Sequence, residues 1–130
     1  MVVFDIEALL IFYLGEEGAA VVEDLLKRIQ NKEIKGFLNV VNLTEFYYIL
    51  YRKNPALAEE KVKHLRAYGL EIVPVMDEGI WREAGKIKGE HAVPLADAFA
   101  LATALVKKDK LVIGKDKDFK EVRVPVLKVR

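Results

Sequence analysis

The fold is decided by the stretch Val2-Val3-Phe4-Asp5-Ile6-Glu7-Ala8-Leu9-Leu10 near the start of the chain. Three consecutive apolar residues predict a short strand that is buried on both faces, and a single acid ends it. The apolar residues from Ile6 to Leu14 then fit a helix that stops at Gly15. A buried strand followed directly by a helix is the repeating unit of a parallel sheet covered by helices.

The rest of the chain repeats this alternation without a linker or a low-complexity segment. Apolar runs predict further strands at 37–41, 70–75, 110–113 and 125–129. Residues at helical spacing predict helices at 16–32, 42–52, 54–69, 77–90 and 94–106. We therefore expect a single α/β domain over residues 1–130, with three layers (α/β/α) and a mostly parallel sheet of about five strands.

Proline positions predict the order of the strands. Proline cannot donate a hydrogen bond to a neighbouring strand, so it is confined to edge strands and strand starts. Only the third and fifth predicted strands contain a proline, Pro74 and Pro125. These strands should lie at the edges, which gives the order 3-2-1-4-5 with a topological switch between strands one and four.

The composition excludes several kinds of chemistry. The sequence has no cysteine and no serine, and its histidines, His64 and His91, are far apart. A cysteine nucleophile, a Ser-His-Asp triad and metal sites held by cysteine are therefore ruled out. With 20 acidic residues, a site in which carboxylates hold a hard cation is the most direct remaining route to difficult chemistry.

Charge and hydropathy give no indication of a nucleic-acid or membrane partner. The net charge is +1, so no global attraction to nucleic acid is expected. No apolar run approaches the roughly 20 residues that span a bilayer, and no basic segment precedes an apolar stretch at the N-terminus. We expect a cytoplasmic protein.

Four acids differ from the others because they interrupt or directly follow apolar segments: Asp5, Glu45, Asp97 and Asp116. Asp5 and Asp116 follow the adjacent strands one and four, and Glu45 is expected in the first turn of the helix after strand two. Asp97 is the only charge between residues 92 and 106. Ligands of open parallel sheets bind beyond the carboxyl ends of the strands, where these acids should converge.

Each acid also has an ordinary structural interpretation. Asp5 and Asp116 suit N-caps, and Glu45 fits the last position of a capping box that starts at Asn42. Asp97 suits the first turn of a helix, although an unpartnered acid on a helix that is apolar all round is costly to bury. Carboxylates gathered at one place repel one another unless a cation lies among them, and oxygen ligands without His or Cys suit Mg²⁺ or Mn²⁺.

Four segments, in this order and spacing, resemble the PIN-domain nucleases, of the kind found as the VapC toxin of VapBC toxin–antitoxin pairs. These segments are Val3–Leu10, Asn42–Phe46, Pro94–Ala104 and Leu111–Phe119. The resemblance covers nearly the whole chain and implies a PIN-like fold. It places the family's four acidic positions, which are catalytic and bind the metal, at Asp5, Glu45, Asp97 and Asp116.

The resemblance also implies an activity and partners. It implies an endoribonuclease that depends on Mg²⁺ or Mn²⁺ and hydrolyses RNA phosphodiesters with a metal-activated water. It further implies a homodimer and a small VapB-like antitoxin. The alternatives are a PIN-type nuclease for RNA processing or DNA, a receiver-type module phosphorylated on Asp, and a catalytically silent binding protein with an acidic pocket.

Two positions depart from the family pattern. Glu7 and Gly114 stand where hydroxyl residues are usual, and such hydroxyls orient metal-binding carboxylates. Glu7 either joins the acidic cluster or faces solvent as a first-turn acid. Asp118 is either a second accessory acid or a turn residue.

Basic and aromatic residues are candidates for substrate contact. The lysines around strand four, Lys115 and Lys117 among them, either bind RNA phosphates or form a solvated face. Three tyrosines at 47, 48 and 51 either stack on bases or pack in the core or at a dimer interface. We expect Trp81 in the core.

Overall fold

A computed structural model describes residues 1–108, 110–113 and 126–128 of the chain. The strands are β1 (Val2–Phe4), β2 (Gly36–Asn39), β3 (Glu71–Val73), β4 (Lys110–Ile113) and β5 (Val126–Lys128). The helices are α1 (Ile6–Leu14), α2 (Ala19–Gln30), α3 (Val40–Lys53), α4 (Pro55–Ala67), α5 (Glu78–Glu90) and α6 (Leu95–Lys107).

The strands form one sheet in the order β3-β2-β1-β4-β5, and every pair is parallel. The predicted fold class and strand order are confirmed, and β3 and β5 are the edge strands. Pro74 lies directly after β3, whereas Pro125 falls outside the described residues. The strand β1 is central, since it pairs with β2 on one side and β4 on the other.

Helices cover both faces of the sheet, because alternate residues of each strand point to opposite sides. On one face Val2, Phe4 and Leu38 pack with buried residues of α1, α2, α3 and α4. On the other face Val3 and Phe37 pack with α5 and α6. The three-layer α/β/α architecture is therefore confirmed.

The boundary between β2 and α3 differs from the prediction. The strand ends at Asn39, and α3 begins at Val40 rather than at residue 42. The side chain of Asn39 accepts a hydrogen bond from the backbone N–H of Val41 at 2.9 Å and so caps the helix. This cap draws the two valines, which favour strands, into the first helical turn.

The helix α1 is fastened to α4 by a hydrogen bond between aromatic side chains. Burial, with a smaller contribution from the nearby Tyr68, raises the pKa of the Tyr13 hydroxyl above its usual range. The hydroxyl forms a hydrogen bond with Nδ1 of His64, at a distance of 2.8 Å. This contact holds the helix that directly follows Asp5.

The prediction that Trp81 lies in the core is wrong. The buried side of α5 is formed by Ile80, Ala84 and Ile87, and Trp81 is turned away from it with 45% of its surface exposed. The guanidinium carbon of Arg82 lies 4.9 Å from the centre of the tryptophan ring. Among the described residues, no helix is long and apolar enough to cross a bilayer.

Gly36 is the first residue of β2 and lies where neighbouring side chains leave no room for a Cβ atom. A Cβ atom there would overlap Cδ1 of Ile29 and lie 2.8 Å from Cδ2 of Leu70. We expect Gly36→Ala to lower the free energy of unfolding by about 1 kcal/mol, the lower end of the cost of overpacking, because the terminal methyl groups of Ile29 and Leu70 can shift. Urea titration measures this change. Gly85→Ala is the control, because a Cβ there meets nothing within 4 Å and alanine favours the helix. Equal stability of wild type and Gly36→Ala would contradict this packing.

Candidate active site

Asp5 lies at the carboxyl end of the sheet, directly after β1, and is only 1% exposed. It occupies the N-cap position of α1, but its side chain makes no capping hydrogen bond. The capping interpretation of this acid is therefore wrong. What the position does provide is a carboxylate buried at the centre of the sheet, next to the positive end of a helix.

Asp97 is a second buried carboxylate at the same end of the sheet. It is the third residue of α6 and is 6% exposed. The helix α6 packs against β1 and β2. Because α6 ends at Lys107 and the parallel strand β4 begins at Lys110, the first turn of α6 lies at the carboxyl end of the sheet. The helix dipole favours an acid here, yet nearly complete burial sets Asp97 apart from an ordinary first-turn acid on a helix surface.

Glu45 lies farther along its helix than the sequence suggested. Because α3 begins at Val40, Glu45 is the sixth residue of the helix and is half-buried in the second turn. The capping-box interpretation is also wrong, since Asn42 is already inside the helix and the hydroxyl of Thr44 donates to the carbonyl of Val40. Glu45 therefore does not cap α3, and its side chain takes part in other interactions.

The three described acids belong to one end of the molecule. The register of β1 and β2 pairs Val3 with Phe37, and its continuation brings Asp5 level with Asn39. The first turns of α3 and α6 are joined there, because Nδ2 of Asn42 donates to the carbonyl oxygen of Ala96 at 3.0 Å. The helices that carry Glu45 and Asp97 therefore begin at the carboxyl end of the sheet, where Asp5 follows β1.

Three buried polar side chains that the acidic pattern of the sequence does not indicate support this arrangement. Nδ2 of Asn39 donates to Oγ1 of Thr103 at 3.1 Å, and that hydroxyl donates to the carbonyl of Phe99 at 2.7 Å. Asn39, Asn42 and Thr103 are all fully buried. Two features of the sequence could have indicated these residues: Asn39 is an amide at the end of an apolar strand, and Thr103 is the single hydroxyl in an apolar helix.

The donor set fits a hard divalent cation. Asp5 and Asp97 supply buried carboxylate oxygens, and Oδ1 of Asn42 is a buried acceptor that receives no hydrogen bond from the described residues. Within that part of the chain, no three acidic or histidine side chains are arranged to hold a metal ion by themselves. The fourth predicted acid, Asp116, lies outside the described residues, as do Asp118, Lys115, Lys117 and Gly114.

The other candidates among the described residues are Glu7, two residues after Asp5, and basic and aromatic side chains farther along α6 and α3. Glu7 is half-buried in the first turn of α1. Lys107 and Lys108 end α6, about 15 Å along the helix from Asp97, at the amino end of the sheet. Tyr48 and Tyr51 are 41% and 50% exposed, which excludes core packing for these two tyrosines.

Comparison with known proteins gives one family and several similar folds. The sequence matches the family model described as "PIN domain" over residues 2–125. No curated protein matches the sequence. A toxin–antitoxin complex from Klebsiella pneumoniae contains a chain of similar structure, with a TM-score of 0.75 and 17% identity, and the match covers 100% of this chain and 98% of that one.

Two further solved structures are similar over nearly their full length. VapBC2 from Rickettsia felis, bound to a DNA fragment from its promoter, gives a TM-score of 0.79 at 15% identity and covers 98% of both chains. FitAB bound to an IR36 DNA fragment gives 0.68 at 17% identity, covering 99% of this chain and 95% of that one. At such low identity these likenesses show the fold alone.

Asn39 should be more important for stability than an ordinary helix cap. Asn39→Ala removes a cap worth about 1 kcal/mol and a buried hydrogen bond whose loss costs about 1–3 kcal/mol more. We expect the free energy of unfolding to fall by about 2–4 kcal/mol in urea titrations. Asn54→Ala is the matched control, because Asn54 caps α4 at an exposed site and its loss should cost only about 1 kcal/mol. Equal losses in the two variants would contradict the role of Asn39 as a buried link.

Proposed function

This chain belongs to the PIN domain family, whose members are nucleases, and from that premise we propose that it is an endoribonuclease dependent on Mg²⁺ or Mn²⁺. We further propose that it is the toxin of a toxin–antitoxin pair. One observation carries the catalytic part of the proposal: two acids, Asp5 and Asp97, are buried at the carboxyl end of a parallel sheet, beside its central strand.

The burial of these acids is what supports a metal-dependent reaction. Ionised carboxylates are expensive to remove from water, and two of them at one end of a sheet repel each other. The positive ends of α1 and α6 offset part of this cost, and a divalent cation would offset more. We propose that Asp5, Glu45, Asp97 and Asp116 hold the cation.

The chain's own residues would position the substrate and the cation relative to each other. When bound at this site, Mg²⁺ or Mn²⁺ would supply an activated water and stabilise the negative charge that develops at phosphorus. The buried side chains of Asp5 and Asp97 would keep their carboxylates in one orientation, since neither is solvated enough to change rotamer freely. Asn39 and Asn42 would keep the first turns of α3 and α6 in place.

The proposed biological role rests on the similar structures. These are described as toxin–antitoxin complexes or belong to VapBC and FitAB assemblies, and each is matched over at least 95% of its chain. We propose that residues 1–130 likewise form one PIN-like domain, which forms a homodimer, is inhibited by a small VapB-like antitoxin and acts on RNA in the cytoplasm. Lys115 and Lys117 are proposed to contact RNA, and Glu7 and Asp118 to be accessory acids.

The receiver-type alternative does not agree with the sheet. Receiver-like flavodoxin folds have the strand order 2-1-3-4-5, whereas this sheet has the order β3-β2-β1-β4-β5. The remaining alternatives differ in substrate or in the absence of catalysis. An assay that offers both RNA and DNA to the purified protein separates them.

Asp97→Asn tests the catalytic proposal, because the amide has nearly the same shape but lacks the negative charge. We expect cleavage of a fluorescently labelled RNA in Mn²⁺ to fall by more than about 100-fold, since even residues that only orient metal ligands cost 10- to 100-fold. EDTA should abolish the wild-type reaction. Asp24→Asn, which removes an exposed acid of α2, is the control and should cleave at the wild-type rate.

Two results would overturn this assignment. Cleavage that survives in Asp97→Asn would show that the buried acid is not needed. Wild-type protein that is folded, binds Mn²⁺ and cleaves neither RNA nor DNA would favour the catalytically silent alternative.

A further inference from the structure

We propose that Asn42 is an additional ligand of the divalent cation, which it would bind through the side-chain carbonyl oxygen Oδ1. This inference rests on the proposed function, because it concerns the same cation. It adds a neutral oxygen donor that the acidic pattern of the sequence does not indicate.

The orientation of the Asn42 amide is fixed by the structure. Its Nδ2 donates to the carbonyl oxygen of Ala96 at 3.0 Å, and the side chain is fully buried. Exchanging the nitrogen and oxygen would place two carbonyl oxygens against each other at that distance. The atom that faces away from Ala96 is therefore Oδ1, a hydrogen-bond acceptor.

This oxygen is buried and receives no hydrogen bond from any described residue. An unsatisfied buried acceptor costs about 1–3 kcal/mol, so it calls for a specific explanation. The neighbouring acids cannot satisfy it while they are ionised, because a carboxylate is itself only an acceptor. A cation is a group that carboxylate and carbonyl oxygens can bind together.

The position of Asn42 matches this role. Glu45 lies three residues later on α3, which places the two side chains on the same side of the helix with Cβ atoms about 5–6 Å apart. Ala96, the hydrogen-bond partner, directly precedes Asp97. Asn42 therefore shares one side of α3 with Glu45 and is hydrogen-bonded to the residue before Asp97, at the end of the sheet where Asp5 follows β1.

A neutral ligand also has an electrostatic advantage at this place. Each further carboxylate adds repulsion to a cluster that is already negative, whereas an amide oxygen fills a coordination position without adding charge. The hydrogen bond to α6 holds the oxygen in place before the cation arrives. Binding would then require little reorganisation of α3.

The test measures Mn²⁺ binding by isothermal titration calorimetry and compares two substitutions of Asn42. Asn42→Leu and Asn42→Asp both lose the donation to Ala96, but only Asn42→Asp keeps an oxygen. We expect the Mn²⁺ dissociation constant of Asn42→Leu to rise by about 10- to 100-fold. That of Asn42→Asp should stay at or below the wild-type value.

Asn54→Leu is the matched control, because it removes an asparagine that caps α4 at an exposed site and is not a proposed ligand. It should lower stability and leave the Mn²⁺ dissociation constant unchanged. Circular dichroism verifies that each variant is folded, and if Asn42→Leu does not fold, Asn42→Ala takes its place as the variant without a side-chain oxygen.

The outcomes separate this inference from the proposed function. If the wild type binds Mn²⁺, Asp97→Asn does not, and Asn42→Leu binds as tightly as the wild type, Asn42 is not a ligand and the proposed function stands. If Asn42→Asp loses affinity as severely as Asn42→Leu, Asn42 acts only by joining α3 to α6, and the inference is wrong. A wild type that binds no Mn²⁺ would overturn both.

Discussion

The whole arrangement depends on the central place of β1 in the parallel sheet. This strand has only three residues, is buried on both faces and pairs with β2 and β4. Because all the strands run the same way, their carboxyl ends meet on one side of the molecule. Asp5, the residue that follows β1, therefore lies in the middle of the carboxyl end of the sheet. The first turns of α3 and α6 lie at the same end.

That placement explains why the site suits a cation, because it gathers negative charge in a buried position. Asp5 and Asp97 are almost completely removed from water, and burial disfavours the ionised form of an acid. The positive ends of α1 and α6 offset part of that penalty. The polar contacts from Asn39 and Asn42 do not neutralise charge, but they hold α3 and α6, which carry Glu45 and Asp97, at the carboxyl end of the sheet.

Much of this could be predicted from the sequence, for identifiable reasons. The strand order was predicted from Pro74 and Pro125, because proline within a strand favours a sheet edge, and the order is right although Pro74 lies directly after β3 rather than in it. Asp5 and Asp97 stood out because a lone acid in an apolar segment is unusual whatever the fold. The β2–α3 boundary could not be predicted in the same way: Val40 and Val41 favour strands, and only the cap made by Asn39 draws them into the helix. Asn42 contacts Ala96, 54 residues later in the chain, and Thr103 contacts Asn39, 64 residues earlier, so neither buried contact leaves a local pattern in the sequence.

The central claim is that a divalent cation binds at the carboxyl end of the sheet, and paramagnetic broadening of backbone amide signals in NMR spectra tests it most directly. Substoichiometric Mn²⁺ should broaden the signals of Asp5 and Asp97 first. Gly36 and Lys107, at the amino end of the sheet, should keep sharper signals at the same Mn²⁺ concentration. Equal broadening at both ends, or stronger broadening at Gly36 and Lys107, would contradict the account.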